Sequence, residues 1–140
     1  MIYKDQVEYD GEWKDDMYHG KGVLKWPSGQ VYNGTFVENK LEGEGELTYA
    51  DGRIYKGGFK NDCFEGYGTF LWINGENYKG DWVNNRRHGK GTMEYLNGDS
   101  YTGDWFEDKR EGRGTIQYGT GKRSYNKEWK DDKEIRGFFG

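Results

Sequence analysis

Residues 9–31 read YDGEWKDDMYHGKGVLKWPSGQV. Tyr9, Gly11 and Trp13 fall on alternate positions, with Asp10, Glu12 and Lys14 between them. Gly20, Gly22, Leu24 and Trp26 alternate in the same way with Lys21, Val23 and Lys25. A period of two marks a strand, because successive side chains point to opposite faces. Asp15-Asp16 separates the two runs, and Pro27-Ser28-Gly29 follows them. Such residues accept the backbone angles of tight turns. The stretch is therefore a β-hairpin that puts its large rings on one side.

The hairpin recurs along the chain. Tyr9, Gly11 and Trp13 return as Tyr32, Gly34 and Phe36, then Tyr55, Gly57 and Phe59, then Tyr78, Gly80 and Trp82, then Tyr101, Gly103 and Trp105; each tyrosine follows the last by 23 positions. The second strand repeats as His19-Gly20-Lys21-Gly22, Glu42-Gly43-Glu44-Gly45, Glu65-Gly66-Tyr67-Gly68, His88-Gly89-Lys90-Gly91 and Glu111-Gly112-Arg113-Gly114. An apolar residue and an aromatic one close each unit: Leu24/Trp26, Leu47/Tyr49, Phe70/Trp72, Met93/Tyr95 and Ile116/Tyr118. A glycine turn follows, such as Ala50-Asp51-Gly52 or Leu96-Asn97-Gly98. A sixth start, Tyr125 to Trp129, comes after 24 positions, with a residue inserted near Gly119–Ser124 and Lys127 in the glycine position. The units are 9–31, 32–54, 55–77, 78–100 and 101–124, after a lead-in over 1–8 and before a degenerate sixth repeat or cap over 125–140.

Composition agrees with strands rather than helices. Glycine supplies 24 of 140 residues, aromatics make up 18% of the chain, and Ala50 is the single alanine. Few aliphatic residues raise the question of disorder, but a net charge of only −4 and abundant Tyr and Trp provide another kind of core. Short connections require an antiparallel meander. The expected fold is all-β: an elongated single-layer sheet of ten repeat strands, twisted, spanning roughly 45–50 Å at ~4.8 Å per strand. Glycine normally weakens a strand, so its regular placement needs a reason: a ring on one strand can lie flat across a glycine on the next.

On these motifs the chain resembles the MORN-repeat (membrane occupation and recognition nexus) family, whose unit is a 23-residue hairpin of the pattern Tyr-x-Gly-x-Trp/Phe, His/Asn-Gly-x-Gly and a glycine turn. Glu42, Glu65 and Glu111 depart from it where the family often has His or Asn. The resemblance implies a scaffold that holds partner peptides, often helical, in a groove along the repeats. It equally implies places beside membranes, in ciliary spokes, or ahead of catalytic domains such as lipid kinases.

The residues themselves argue for binding. Five units with four ring or aliphatic positions each direct about twenty large side chains to one face, and no amphipathic helix or second sheet is available to cover them. The rings must either pack on one another or leave a groove for a visitor; both are expected in part. The expected floor of that groove, and the expected partner-binding set, is Tyr9, Trp13, Tyr32, Phe36, Tyr55, Phe59, Tyr78, Trp82, Tyr101 and Trp105. One further position changes character: Tyr18, Leu41 and Phe64 in the first three units become Arg87 and Arg110 in the last two. That gradient would set the register of a partner or else serve hairpin packing.

No catalytic motif is present, and no cofactor is expected. His19 and His88 share a repeat position three units apart, too far to hold one metal. The Gly-x-Gly steps do not open a helix as a phosphate loop does. Lys/Arg pairs at 86–87, 109–110 and 122–123 invite weak contact with anionic lipid, but an acidic chain of pI about 5.3 argues against a strong one and against nucleic acid. Cys63 has no partner for an internal disulfide, in keeping with a reducing compartment, and the expected setting is cytoplasmic, beside the cytoskeleton, a cilium or a membrane. Uncovered end strands would permit a homo-oligomer. The second reading, a regulatory or targeting module of a larger enzyme, follows from the broken sixth unit ending in Phe138-Phe139-Gly140.

Overall fold

Each repeat turns on two residues with positive φ. Asn61 (φ 49°) and Asp62 (φ 69°) make the turn in the third unit, and Asp15-Asp16, Glu38-Asn39, Asn84-Asn85 and Glu107-Asp108 make it in the others. Two left-handed residues in succession form a type I′ turn, whose twist matches that of the strands it joins. Asn and Asp bear this conformation at lower strain than most residues.

The computed structural model describes residues 2–4, 6–119 and 125–134. Residues 120–124 of the expected insertion, which include the basic pair at 122–123, and the segment 135–140 lie outside them. The ten expected repeat strands are β2 (Val7–Lys14), β3 (Met17–Lys25), β4 (Val31–Val37), β5 (Lys40–Thr48), β6 (Ile54–Lys60), β7 (Cys63–Leu71), β8 (Asn77–Val83), β9 (Arg86–Glu94), β10 (Ser100–Phe106) and β11 (Lys109–Gln117). Before them stands β1 (Ile2–Lys4), and after them β12 (Tyr125–Lys130) and β13 (Lys133–Glu134). All lie in one antiparallel sheet in chain order, so the first and last strands do not meet. Among the described residues the sheet is open, and its outermost strands have three and two residues.

Glycines pair across the strands: Gly57 faces Gly68, and Gly80 faces Gly91. From Gly57 to Phe59 the first strand advances two residues, while its partner advances four, from Gly68 to Phe64. The extra length is taken up at Glu65 and Gly66, where Gly66 has φ +78°. This bulge recurs in every repeat and adds local twist.

Neighbouring repeats are latched at their turns. The side-chain Oδ1 of Asn39, Asp62, Asn85 and Asp108 accepts the backbone N–H of Tyr18, Leu41, Phe64 and Arg87, at 2.8, 2.8, 2.8 and 2.7 Å. The three glutamates that depart from the family pattern belong to the same device. Glu42, Glu65 and Glu111 each accept the N–H of the next turn's first residue, Asn61, Asn84 and Asp131, at 2.9, 3.0 and 3.0 Å.

Candidate functional site

The five repeat tyrosines are the deepest side chains of the protein. Tyr9, Tyr32, Tyr55, Tyr78 and Tyr101 are all 0% exposed. Tyr55 illustrates why. Its ring lies over Gly68, where a β-carbon would overlap the ring and its hydroxyl. Phe64 stacks on the other side, with centroids 3.8 Å apart and planes 8° from parallel. Phe59 of the same repeat and Trp82 of the next close the two flanks edge-on, at 5.1 and 5.4 Å. The hydroxyl donates to the Gly58 carbonyl at 2.8 Å.

The same box is built five times. Tyr32 is held between Phe36 and Phe59, Tyr78 between Trp82 and Trp105, and Tyr101 between Trp105 and Trp129. Each tyrosine is thus gripped by the Trp or Phe of its own repeat and of the following one. The grip makes the repeats interdependent, and Trp129 of the degenerate sixth unit supplies it for the fifth. Trp82 and Trp105 also donate their indole N–H to the carbonyls of Gly68 and Gly91, at 3.1 and 3.2 Å.

The structure therefore places nine of the ten expected partner-binding residues in the core: the five tyrosines with Phe36, Phe59, Trp82 and Trp105. Trp13, in the first repeat, alone of that set is exposed, at 41%. The two alternatives for the aromatic face are both realised, on different rows. The ladder rings pack on one another, and a second row leaves the groove.

That second row is Trp26, Tyr49, Trp72, Tyr95 and Tyr118, all half-buried against the core. The sequence reading named these residues as unit closers and expected the ladder, not them, to form the groove floor. In the middle of the sheet, Leu47, Tyr49, Phe64, Phe70, Trp72 and Trp82 line an open concavity of about 480 Å³, with Arg53, Asp62, Asn85 and Arg87 around it. Concave, mostly apolar surfaces with a few placed polar groups are the usual form of a binding site. Arg53 lies over the Tyr49 ring at 4.3 Å and is tied to Asp51 at 2.9 Å.

At Phe64 and Arg87 the changing position also lines this concavity. Tyr18 stacks on Tyr9 and Phe64 on Tyr55. Leu41 is buried at the equivalent place. Arg87 replaces them in the fourth repeat, 4.5 Å over Trp105 and 5.9 Å from Tyr78; Arg110 does so in the fifth, 3.9 Å over Trp129 and 5.9 Å from Tyr101. A flat guanidinium can cover a ring as an aromatic can.

The opposite face is polar with isolated apolar residues, of which Tyr67 and Phe106 are the most exposed, at 63% and 51%. His19 on β3 and His88 on β9 stand six strands apart, roughly 30 Å. Among the described residues no three His, Cys, Asp or Glu side chains gather as metal ligands do.

Burial sets the ionisation of the ladder. Desolvation pushes the Tyr32 and Tyr101 hydroxyls up to about 12 and raises those of Tyr9, Tyr55 and Tyr78. The unfolded phenol ionises near 10. A raised native value means that the neutral form favours the fold, so the contribution is complete below about pH 10 and is lost as pH climbs through about 12. An alkaline titration should show exposed tyrosines ionising first, with the ladder ionising only as near-ultraviolet circular dichroism collapses. All tyrosines titrating in one step near pH 10, with the fold intact, would contradict the buried ladder.

Comparison with known proteins agrees with this architecture. The MORN repeat family model matches residues 9–31, 32–52, 55–76, 78–100 and 101–123. A stretch of 35 residues is 51% identical to Alsin of Rattus norvegicus. That stretch is 22% of this chain and 2% of Alsin, so the likeness is to a short piece of a far longer protein. MORN repeats in general are modules for protein or membrane interaction, in keeping with an adaptor. With five matched repeats covering most of its length, the chain belongs to the MORN repeat family.

Proposed function

We propose that the protein is a non-catalytic adaptor that holds a protein segment in the groove formed by its second aromatic row. One observation carries this reading: Tyr49, Trp72 and their neighbours line an open concavity of about 480 Å³ while the ladder beneath them is already sealed. The rings that a partner would touch are therefore Trp26, Tyr49, Trp72 and Tyr95 rather than the ladder. Half-buried Tyr and Trp on a rigid sheet offer large apolar contact at little entropic cost, the usual composition of binding hot spots.

The test is selection from a random 16-residue peptide library displayed on phage. Selected peptides should lose at least tenfold in affinity for the Trp72→Ser variant and none for Tyr67→Ser on the opposite face. Equal loss with both variants, or with neither, rejects the groove.

Lipid contact finds less support. Arg86, Arg87, Lys90, Arg110, Arg113 and Lys130 lie within 4 Å of Glu107, Asp108, Asp104, Asp132, Glu128 and Glu111 respectively. Basic groups already paired in this way present little net positive surface to anionic headgroups. Sedimentation with anionic vesicles tests it directly, with binding at low salt as the result that would revive it. A module within a larger enzyme remains compatible with the same groove, since an adaptor segment recruits for whatever it is joined to.

A further inference from the structure

The hairpin units are not all joined by the same forces. At the first three junctions rings meet rings: Tyr9 and Tyr18 pack on Phe36, Tyr32 packs on Phe59, and Tyr55, Phe64 and Phe70 pack on Trp82. Among the described residues no ion pair crosses these three junctions. Ion pairs between units gather at the last two. Arg86, Arg87 and Lys90 of β9 meet Glu107, Asp108 and Asp104 of the fifth hairpin. Arg110 and Arg113 of β11 meet Asp132 and Glu128 of the sixth at 3.3 and 3.7 Å, and Lys130 of β12 reaches back to Glu111 at 3.1 Å.

The last junction also lacks bonds that the others have. Trp82 and Trp105 give their indole N–H to a carbonyl of the preceding unit, whereas Nε1 of Trp129 is buried without a hydrogen-bond partner. Such an unmet donor weakens a junction. Gly80 lies across from Gly68 and Gly103 from Gly91, but Lys127 lies across from Gly114. The fourth junction shares the ionic character of the fifth, yet it keeps the indole bond, the glycine pair and a Thr92–Thr102 hydroxyl contact at 3.0 Å.

We infer that the sixth unit, β12 with β13, is an ionic clasp. It docks on β11 at low ionic strength and is released as ionic strength rises, while the units before it stay joined. Arg113 and Lys130 are largely exposed, so their pairs are of the weak kind that salt screens. The ring contacts of the first three junctions carry no charge to screen. Release withdraws Trp129 from Tyr101 and bares the backbone of β11 from Gly112 to Ile116, which β12 otherwise pairs. A bare sheet edge accepts an added strand. The clasp therefore sets whether this edge is closed or open to strand addition, independently of the groove.

Hydrogen exchange of the full chain, read by mass spectrometry, tests the clasp. The two conditions are about 0.01 M and about 1 M sodium chloride, where charges are screened beyond about 30 and 3 Å respectively. Amides of β12 should exchange roughly fivefold faster at high salt, while those of β4 to β8 change by less than about twofold. The variant Arg113→Gln/Lys130→Gln should exchange fast in β12 at both salts, with wild-type rates in β4 to β8 showing that it is folded. Equal β12 rates at the two salts overturn the clasp. So does equal acceleration in β4 to β8, or a double variant that keeps the full salt response.

Discussion

Replacing Tyr55 by Ala should destabilise the middle of the sheet by about 3–5 kcal/mol, the range for deleting a large ring from a core. The loss has three physical parts. Phe64 loses its stacking partner, Phe59 loses an edge contact within repeat three, Trp82 loses the edge contact that joins repeats three and four, and the Gly58 carbonyl loses the phenolic donor. Tyr55→Phe keeps the ring and removes only the last of these, so about 1 kcal/mol is expected. The stability of a repeat protein is the sum of its units and their interfaces. Cutting the central interface should therefore do more than lower the midpoint of urea unfolding: the Ala variant should unfold in two separable stages, while the Phe variant keeps a single transition. A single transition for the Ala variant, or a loss no larger than that of the Phe variant, would mean that the tyrosine box does not couple the repeats.

The second large effect is at the seat of that ring. Gly68→Ala puts a methyl group into the space occupied by the Tyr55 ring and hydroxyl, and the ring is boxed on three sides and cannot retreat. Overpacking of this kind costs about 1–3 kcal/mol. Two residues away on the same strand, Gly66 has nothing within 4 Å of an added β-carbon but has φ +78°, so Gly66→Ala carries only the left-handed penalty of about 1–2 kcal/mol. Single costs of such similar size do not separate the mechanisms, but a double-mutant cycle does. In a Tyr55→Leu background the penalty of Gly68→Ala should shrink by about 1–2 kcal/mol, because the clashing ring is gone. The penalty of Gly66→Ala should stay the same. Equal behaviour of the two glycines would place the cost in the backbone and remove the ring seat as the reason for the glycine pattern.

The fold was legible in the sequence because every feature that makes it is local. Tyr55, Gly57 and Phe59 announce a strand by alternation, Asn61-Asp62 announces the turn, and the next copy begins 23 residues later. Each described strand pairs with its neighbours in the chain, so no distant pairing had to be guessed. The glycine seat was legible for the same reason, since Gly68 lies directly across the sheet from Gly57. Glu65 was harder to read: its carboxylate serves the amide of Asn84, one repeat further on, and appeared in the sequence only as a departure from a pattern.

Alternation along the strands determined which side each ring takes, but it assigns Tyr55, Phe59, Phe70 and Trp72 to the same side without ranking their depth. Depth depends on a ring lying down across a neighbouring strand and on the bulge that brings Phe64 over it, both of which require several strands at once. Only the tertiary structure, accordingly, sank Tyr55 to full burial and left Trp72 at the groove, and only it laid Arg87 over Trp105 and Arg110 over Trp129.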